Sequence, residues 1–292
     1  MTTHEAQRPA VLRDQKIAIV AGSGALPEAL ADELEREGNK PVLIAIKGEA
    51  DRSVPARADA VLDIEALGGL PKLLKDRGVR HVVFAGGVSR RPKWYRIRLT
   101  FGLLRLLPRG IRALGAGDDA LLRIVTTFME NEGITVVGAH EIMPRLLCPE
   151  GTLGAVTPGK DDWTAIGAGF KAARAIGALD IGQAAVVFGR RAIALEGIEG
   201  TEGLLERTRD MRNHGRLTST RRGVLVKCAK PGQDERADLP SIGPQTVISA
   251  HAAGLSGIAV EAGRSLLLET ERIRAEADRL GLYVVGVRED ML

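Results

Sequence analysis

Lys16–Gly38 reads KIAIVAGSGALPEALADELEREG, and its two halves follow different rules. The apolar run Ile17–Ala21 is continuous rather than alternating, which suits a strand covered on both faces. After the turn Gly22-Ser23-Gly24, the segment 26–38 has helical spacing and ends on a glycine in C-cap position. Strand, glycine turn and helix together open a parallel, Rossmann-like unit. The pattern extends outward: PVLIAIKG at 41–48, HVVFAGG at 81–87 and ITVVGAH at 134–140 read as further strands, and EALGGLPKLLKDRG at 65–78 as a helix.

Between Glu141 and Lys160 this pattern breaks into Pro144, Pro149, Gly151, Gly154, Pro158 and Gly159, poor material for a regular element. The second half restarts with a helix from about Asp161 to Ile176. Hairpin-like strands at 184–189 and 191–197 follow, then strands GVLVKCA, GIAVEAG and LYVVGV, with helices around 201–213, 244–253 and 270–280. The expected fold class is therefore α/β: a Rossmann-like parallel-sheet N-terminal domain plus a second α/β domain with a mixed sheet. The boundaries are an N-terminal extension at 1–14, a substrate-binding domain at 15–142, a linker at 143–160 and a catalytic domain at 161–292.

Composition agrees. The chain has 292 residues, enough for two domains, and 45% hydrophobic content to fill their cores. Aromatics are only 3%, so Leu, Val, Ile and Ala must build the interior, while 35 glycines supply tight turns. Cys148 and Cys228 have no CxxC or histidine-spaced companion, which argues against a disulfide framework or a zinc site and for a reducing, cytoplasmic setting. Residues 1–13 lack the apolar core of a signal peptide, and no run approaches a membrane span. A formal charge of +4 selects no partner by itself.

Three turns should gather at the carboxyl edge of the first sheet, where open parallel sheets bind ligands: Gly22-Ser23-Gly24, Gly86-Gly87-Val88-Ser89 and Gly138-Ala139-His140-Glu141. The first reads equally as a ligand cradle at a helix N-terminus or as a tight connection. It is not the dinucleotide fingerprint, because Pro27 stands where the third glycine belongs and strand two ends in Lys47 and Gly48 rather than an acid. Asp118 and Asp119 read as the start of a helix. His140 reads as a ligand contact or as a hydrogen-bonded structural residue. The stretch Arg91–Arg112 sets seven basic residues among Trp94, Tyr95, Phe101 and a Leu-rich face; it reads either as a membrane-interface helix or as a packed helix with a solvated face.

The second half carries the denser polar set: Asp180 to Gln183, Glu196 to Thr201, Lys227 to Gln233, and Asp238 before Leu239-Pro240. Carboxylates at loop ends beside lysines suit a magnesium-assisted pyrophosphatase, which needs hard oxygen ligands and ammonium groups to offset phosphate charge. On this reading Lys227 and Lys230 neutralise charge, with Gln183, Glu199, Thr201 and Gln233 as substrate contacts. The alternatives are that Asp238 closes a turn, that Glu196 and Glu199 are strand-edge charges, and that Lys227 is solvated.

In these residues the chain resembles the LpxI family of UDP-2,3-diacylglucosamine pyrophosphatases of lipid A synthesis. The likeness runs from IAIVAGSGALP through FAGGVSR, GDDALLR, VVGAHE, LDIGQAAVV, EGTEG and KPGQDERADLPSIGP to GIAVEAG, specific in its order and spacing. The resemblance implies Mg2+-dependent hydrolysis of UDP-2,3-diacylglucosamine to UMP and 2,3-diacylglucosamine 1-phosphate, with water attacking the pyrophosphate at the β-phosphorus. It implies a substrate lying between the two domains and an essential aspartate in the second. Matched motif to motif, that aspartate is Asp238, also the expected metal ligand, with Asp234 of PGQD the less favoured choice. Two positions depart from the family pattern: Glu202 in EGTEG, where aspartate is expected, and Ser23, where a glycine is. The expected partners are the lipid-linked nucleotide sugar, the inner-membrane surface as a peripheral contact, and a second copy in a homodimer.

Three other readings compete: a non-catalytic nucleotide-sugar-binding regulator, a Rossmann oxidoreductase, and a nucleic-acid binder. The missing acid after strand two and Pro27 disfavour the second. The single basic cluster and scarce aromatics disfavour the third, so no nucleic-acid partner is expected.

Overall fold

A computed structural model describes residues 9, 12, 15–90, 93, 95, 118–217 and 223–291. The chain divides into two compact units: Met1–Arg145 with Asp234–Asp238, and Leu146–Gln233 with Leu239–Leu292. The basic stretch at 91–112, apart from Lys93 and Tyr95, lies outside the described residues, as do most of residues 1–14.

The first unit holds one parallel sheet of β1 (Ile17–Ala21), β2 (Val42–Ile46), β3 (Ala60–Leu62), β4 (His81–Ala85) and β5 (Thr135–Val136), in the order β3-β2-β1-β4-β5. Every residue of β1 is buried, as its unbroken apolar run requires. Among its described residues this unit has five helices: α1 (Leu26–Arg36), α2 (Val54–Arg57), α3 (Leu70–Asp76), α4 (Asp118–Asn131) and α5 (Ala139–Ile142). One core face gathers Ala18, Val20, Ile44 and Val82 with Leu70, Leu74, Phe128 and Met129. The single helix expected over 65–78 is instead a 3-10 turn, Ile64–Gly69, followed by α3. Gly68 and Gly69 weaken the helix, and Pro71, which lacks an N–H, suits the first turn of a new one.

The second unit is a mixed sheet in the order β6-β13-β11-β9-β7-β8. Its strands are β6 (Gly151–Thr152), β7 (Ala184–Phe188), β8 (Arg191–Leu195), β9 (Val224–Lys227), β11 (Gly257–Glu261) and β13 (Tyr283–Val287). The middle three, β9, β11 and β13, are parallel, while β7 pairs antiparallel with β8 and β9, as does β6 with β13. Two short strands, β10 (Ser241–Ile242) and β12 (Leu266–Leu267), pair separately. Helices α7 (Gly200–Asn213), α8 (Pro244–Ala252) and α9 (Thr270–Leu280) bury Leu204, Val247 and Ile273 against one face, and α6 (Lys160–Ala178) buries Ile166, Phe170 and Ala173 against the other. The stretch read as irregular thus contributes an edge strand, β6, whose two residues are too few to leave a periodicity.

Helix α6 lies close on β9 because Gly169 has no Cβ; one added there would overlap the Val226 side chain. Gly167, a turn-mate in the same helix, faces open space. Gly169→Ala should therefore cost about 2 kcal/mol through overpacking, whereas Gly167→Ala should gain about 0.5–1 kcal/mol of helix propensity. Urea unfolding of the two variants checks this; similar shifts in both would contradict the close approach.

Candidate functional site

β1, β4 and β5 are adjacent and parallel, so the three predicted turns do share one edge of the first sheet. The first two are joined by backbone: Ser23 N–H donates to Gly87 O at 2.8 Å and Gly87 N–H to Ser23 O at 3.0 Å. Gly22 N–H donates to Ala85 O at 2.8 Å. A side chain at Gly22 would collide with the Gly87 carbonyl, so this junction demands glycine for close approach. Gly24 N–H donates to Asp51 Oδ2 at 3.0 Å, and both the N–H and hydroxyl of Ser89 donate to Glu49 Oε2, at 2.7 and 2.9 Å. These bonds hold the Glu49 carboxyl below its ordinary value, the Ser89 N–H foremost. The amides of Gly22, Ser23 and Gly24 are thus engaged within the protein; Gly86 takes φ +86° and Val88 is exposed. Glu49 and Asp51, missed in the sequence, lie just beyond the position where a dinucleotide fold carries its acid.

The third turn meets the segment Asp234–Asp238, which belongs to this first unit although the chain on either side of it belongs to the second. Gly138 N–H donates to Glu141 Oε2 at 3.2 Å. The His140 ring lies over Gly138, and the Arg236 Cα comes to the same side of that glycine. His140 Nδ1 is buried with no hydrogen-bond partner among the described residues, unlike a satisfied structural histidine. Asp234 is fully engaged: Oδ1 accepts from the Arg236 N–H at 3.1 Å and Nε at 3.0 Å, and Oδ2 accepts from Nη2 at 2.8 Å. The Arg236 side chain is the main cause that holds the Asp234 carboxyl below its usual range. The Asp234 carbonyl accepts from the N–H groups of Ala237 at 3.0 Å and Asp238 at 3.1 Å, closing one helical turn. Asp238 is half-buried on that turn, followed by the buried Leu239 and Pro240.

In the second unit Lys227 ends β9 only 7% exposed, and Glu196 follows β8 only 5% exposed. Thr201 links them: its hydroxyl donates to Glu196 Oε1 at 2.6 Å and accepts from Lys227 Nζ at 3.0 Å. Lys227 Nζ also donates to Ser241 O at 3.0 Å, and Gln183 N–H donates to Glu196 Oε2 at 2.7 Å. Lys227 is therefore no solvated surface charge. Gln183 Oε1 is buried without a hydrogen-bond partner among the described residues. Lys230 Nζ donates to Asp180 Oδ1 at 2.6 Å, and its N–H to Gln233 Oε1 at 2.9 Å. Asp180 sits at φ +53°, the left-handed region that aspartate tolerates better than most residues. Glu199 stands apart, paired with Arg207 at 2.5 Å. The departing Glu202 accepts from the Ser249 hydroxyl at 2.6 Å.

Within each unit the structure joins predicted residues into neighbourhoods. Gly22, Ser23, Gly86 and Gly87 form one; His140 and the turn of Asp238 form another, both in the first unit. Lys227, Thr201 and Gln183 form a third, and Lys230 with Gln233 a fourth, both in the second. Arg236 and Glu130 were not anticipated; Arg236 Nη1 donates to Glu130 Oε1 on α4 at 2.6 Å. No local pattern marks a pair separated by 106 residues.

Two α/β units, the first Rossmann-like and the second mixed, each with its polar residues at the carboxyl edge of its parallel strands, define the class of protein. The LpxI N-terminal domain matches residues 16–146 and the LpxI C-terminal domain residues 149–285. The chain is also 42% identical over 274 residues to the UDP-2,3-diacylglucosamine pyrophosphatase LpxI of Caulobacter vibrioides, covering 94% of this chain and 98% of that relative. The chain belongs to the LpxI family.

Two outcomes follow from the second unit's buried network. Thr201→Val should cost about 1–3 kcal/mol, since it leaves the buried ammonium and carboxylate each short of a partner; Thr201→Ser should recover most of it, as read by guanidinium unfolding. Burial pushes the thiols of Cys148 and Cys228 up to about 12. At pH 8 the folded protein should therefore leave both unreactive toward a disulfide reagent, and both should react at once in guanidinium. Rapid labelling of the native protein would contradict their burial.

Proposed function

We propose that the chain hydrolyses the pyrophosphate bond of UDP-2,3-diacylglucosamine, giving UMP and 2,3-diacylglucosamine 1-phosphate. The observation that carries this is the match of both halves to the two LpxI domains, joined to 42% identity with a relative of that name along nearly its whole length. A water oxygen attacks the β-phosphorus, the bond from that phosphorus to the bridging oxygen breaks, and UMP leaves with the bridging oxygen. Asp238 orients the water and takes its proton, working from a turn whose own aspartate, Asp234, is neutralised by Arg236. Lys227 and Lys230 supply positive charge toward the phosphates.

Among the described residues, no three His, Cys, Asp or Glu side chains converge on a preformed metal cage. Magnesium needs only one or two carboxylates from a protein; Asp238 is the oxygen donor we assign to it. When bound, Mg2+ offsets charge on the phosphate oxygens. A diacylated substrate is met at a lipid surface, and no helix among the described residues is long and apolar enough to cross a membrane. We place the protein in the cytoplasm as a peripheral partner of the inner membrane, with the basic stretch Arg91–Arg112 as its contact.

Incubation with UDP-2,3-diacylglucosamine should release UMP with Mg2+ and lose that activity with excess chelator. Asp238→Ala should keep the fold and substrate binding while turnover falls by about 10³-fold or more. Undiminished turnover in that variant would remove Asp238 from the mechanism, and no UMP release from wild type would remove the reading itself.

A further inference from the structure

Residues 234–238 are bounded by Gln233 and Leu239, both of the other unit, yet they pack with the first. Arg236 makes the bonds that define this excursion. Its backbone N–H, Nε and Nη2 all bind the Asp234 carboxylate, while Nη1 reaches Glu130 on α4 at 2.6 Å. One planar guanidinium therefore joins a carboxylate of its own loop to a carboxylate of a helix. Asp234 in turn holds Ala237 and Asp238 through its carbonyl oxygen.

We propose that Arg236 is a positioning residue for Asp238: bridging Asp234 and Glu130, it fixes on α4 the turn that carries the reaction's carboxylate. This rests on the role given to Asp238 above. Coulombic attraction alone does not carry it, because the Arg236 and Glu130 side chains are 36% and 43% exposed and such pairs contribute little. The weight lies in geometry. A guanidinium presents several N–H groups in one rigid plane, so fixing Asp234 and Glu130 at once fixes the loop's orientation; a lysine ammonium has no such plane. The Gly138 side of α5 adds a steric stop, since the Arg236 Cα packs there beside the His140 ring. An aspartate that orients water loses rate steeply with small displacements, so the turn's rigidity should appear in turnover rather than in affinity.

The test combines Arg236→Ala, Arg236→Lys and Glu130→Gln, each in the wild-type and Asp238→Ala backgrounds, with two readouts. The first is hydrogen exchange of the 234–238 segment, which needs no substrate. Arg236→Ala should speed exchange of the Ala237 and Asp238 amides by about tenfold or more. The second is steady-state hydrolysis of UDP-2,3-diacylglucosamine with Mg2+. Arg236→Ala should lower kcat by about 10- to 100-fold with KM within about twofold. Arg236→Lys should recover little of it, and Glu130→Gln, the mildest change, should cost about two- to fivefold. In the Asp238→Ala background Arg236→Ala should cost nothing further, because it acts only through that carboxylate. A raised KM with kcat unchanged, a full additional loss in the Asp238→Ala background, or unaltered amide exchange would each overturn the proposal. If wild type leaves the nucleotide sugar intact, the functional reading fails, while exchange still decides whether Arg236 holds the turn.

Discussion

Loops at the carboxyl edge of a parallel sheet carry backbone donors that the sheet's own ladder does not satisfy, and here several of them are met by carboxylates. Asp51 receives the N–H of Gly24, Glu49 that of Ser89 and Glu141 that of Gly138; in the second unit Glu196 receives that of Gln183 and Glu261 that of Ala229. A hydrogen bond to an ionised acceptor contributes about 1.5–3 kcal/mol, roughly twice a neutral one. It also fixes a loop more narrowly than water would. Each of these loops carries or adjoins a residue that the sequence offers as a substrate contact, so the device that satisfies the backbone also sets the stage for the chemistry.

The sheets themselves were legible because their signal is local. Continuous apolar runs announced β1, β2, β4, β9, β11 and β13, and the mixed character of the second sheet followed from the short Gly189-Arg190 connection between β7 and β8. The short strands β3, β6, β10 and β12 were not legible, because so short a segment has no period; β5 was, but inside an expected strand over 134–140 of which only Thr135–Val136 pairs, Ala139–Ile142 being helical. They are strands by virtue of their neighbours: β6 exists because Val285 and Gly286 of β13 pair with Thr152 and Gly151. The break at Gly68–Pro71 was written in the residues yet submerged under the apolar spacing of the longer segment.

The site was legible in residue type and only partly in role. Sequence marks Asp234 and Asp238 alike as aspartates in a polar loop, and nothing local says that Asp234 binds Arg236 and, through its carbonyl, closes the turn that carries Asp238. The same holds for the acids after β2: the expectation of no acid at the end of that strand was right at Lys47 and Gly48, but Glu49 and Asp51 are turned onto backbone donors of neighbouring turns. Roles of this kind depend on pairs distant in sequence, such as Arg236 with Glu130 and Lys227 with Thr201. Composition and spacing carry no information about such pairs; chain topology does.

Lys227 shows what that topology achieves electrostatically. An ammonium placed in a site only 7% exposed loses several kcal/mol of hydration, which a lone partner would not restore. Thr201 and Ser241 accept hydrogen bonds from it, and Glu196 in turn accepts from the Thr201 hydroxyl. A hydroxyl polarised by a carboxylate is a stronger acceptor, so it helps to keep the ammonium in place. Charge held this way needs no rearrangement when an anion arrives, which is the condition under which electrostatic stabilisation of phosphate chemistry is most effective.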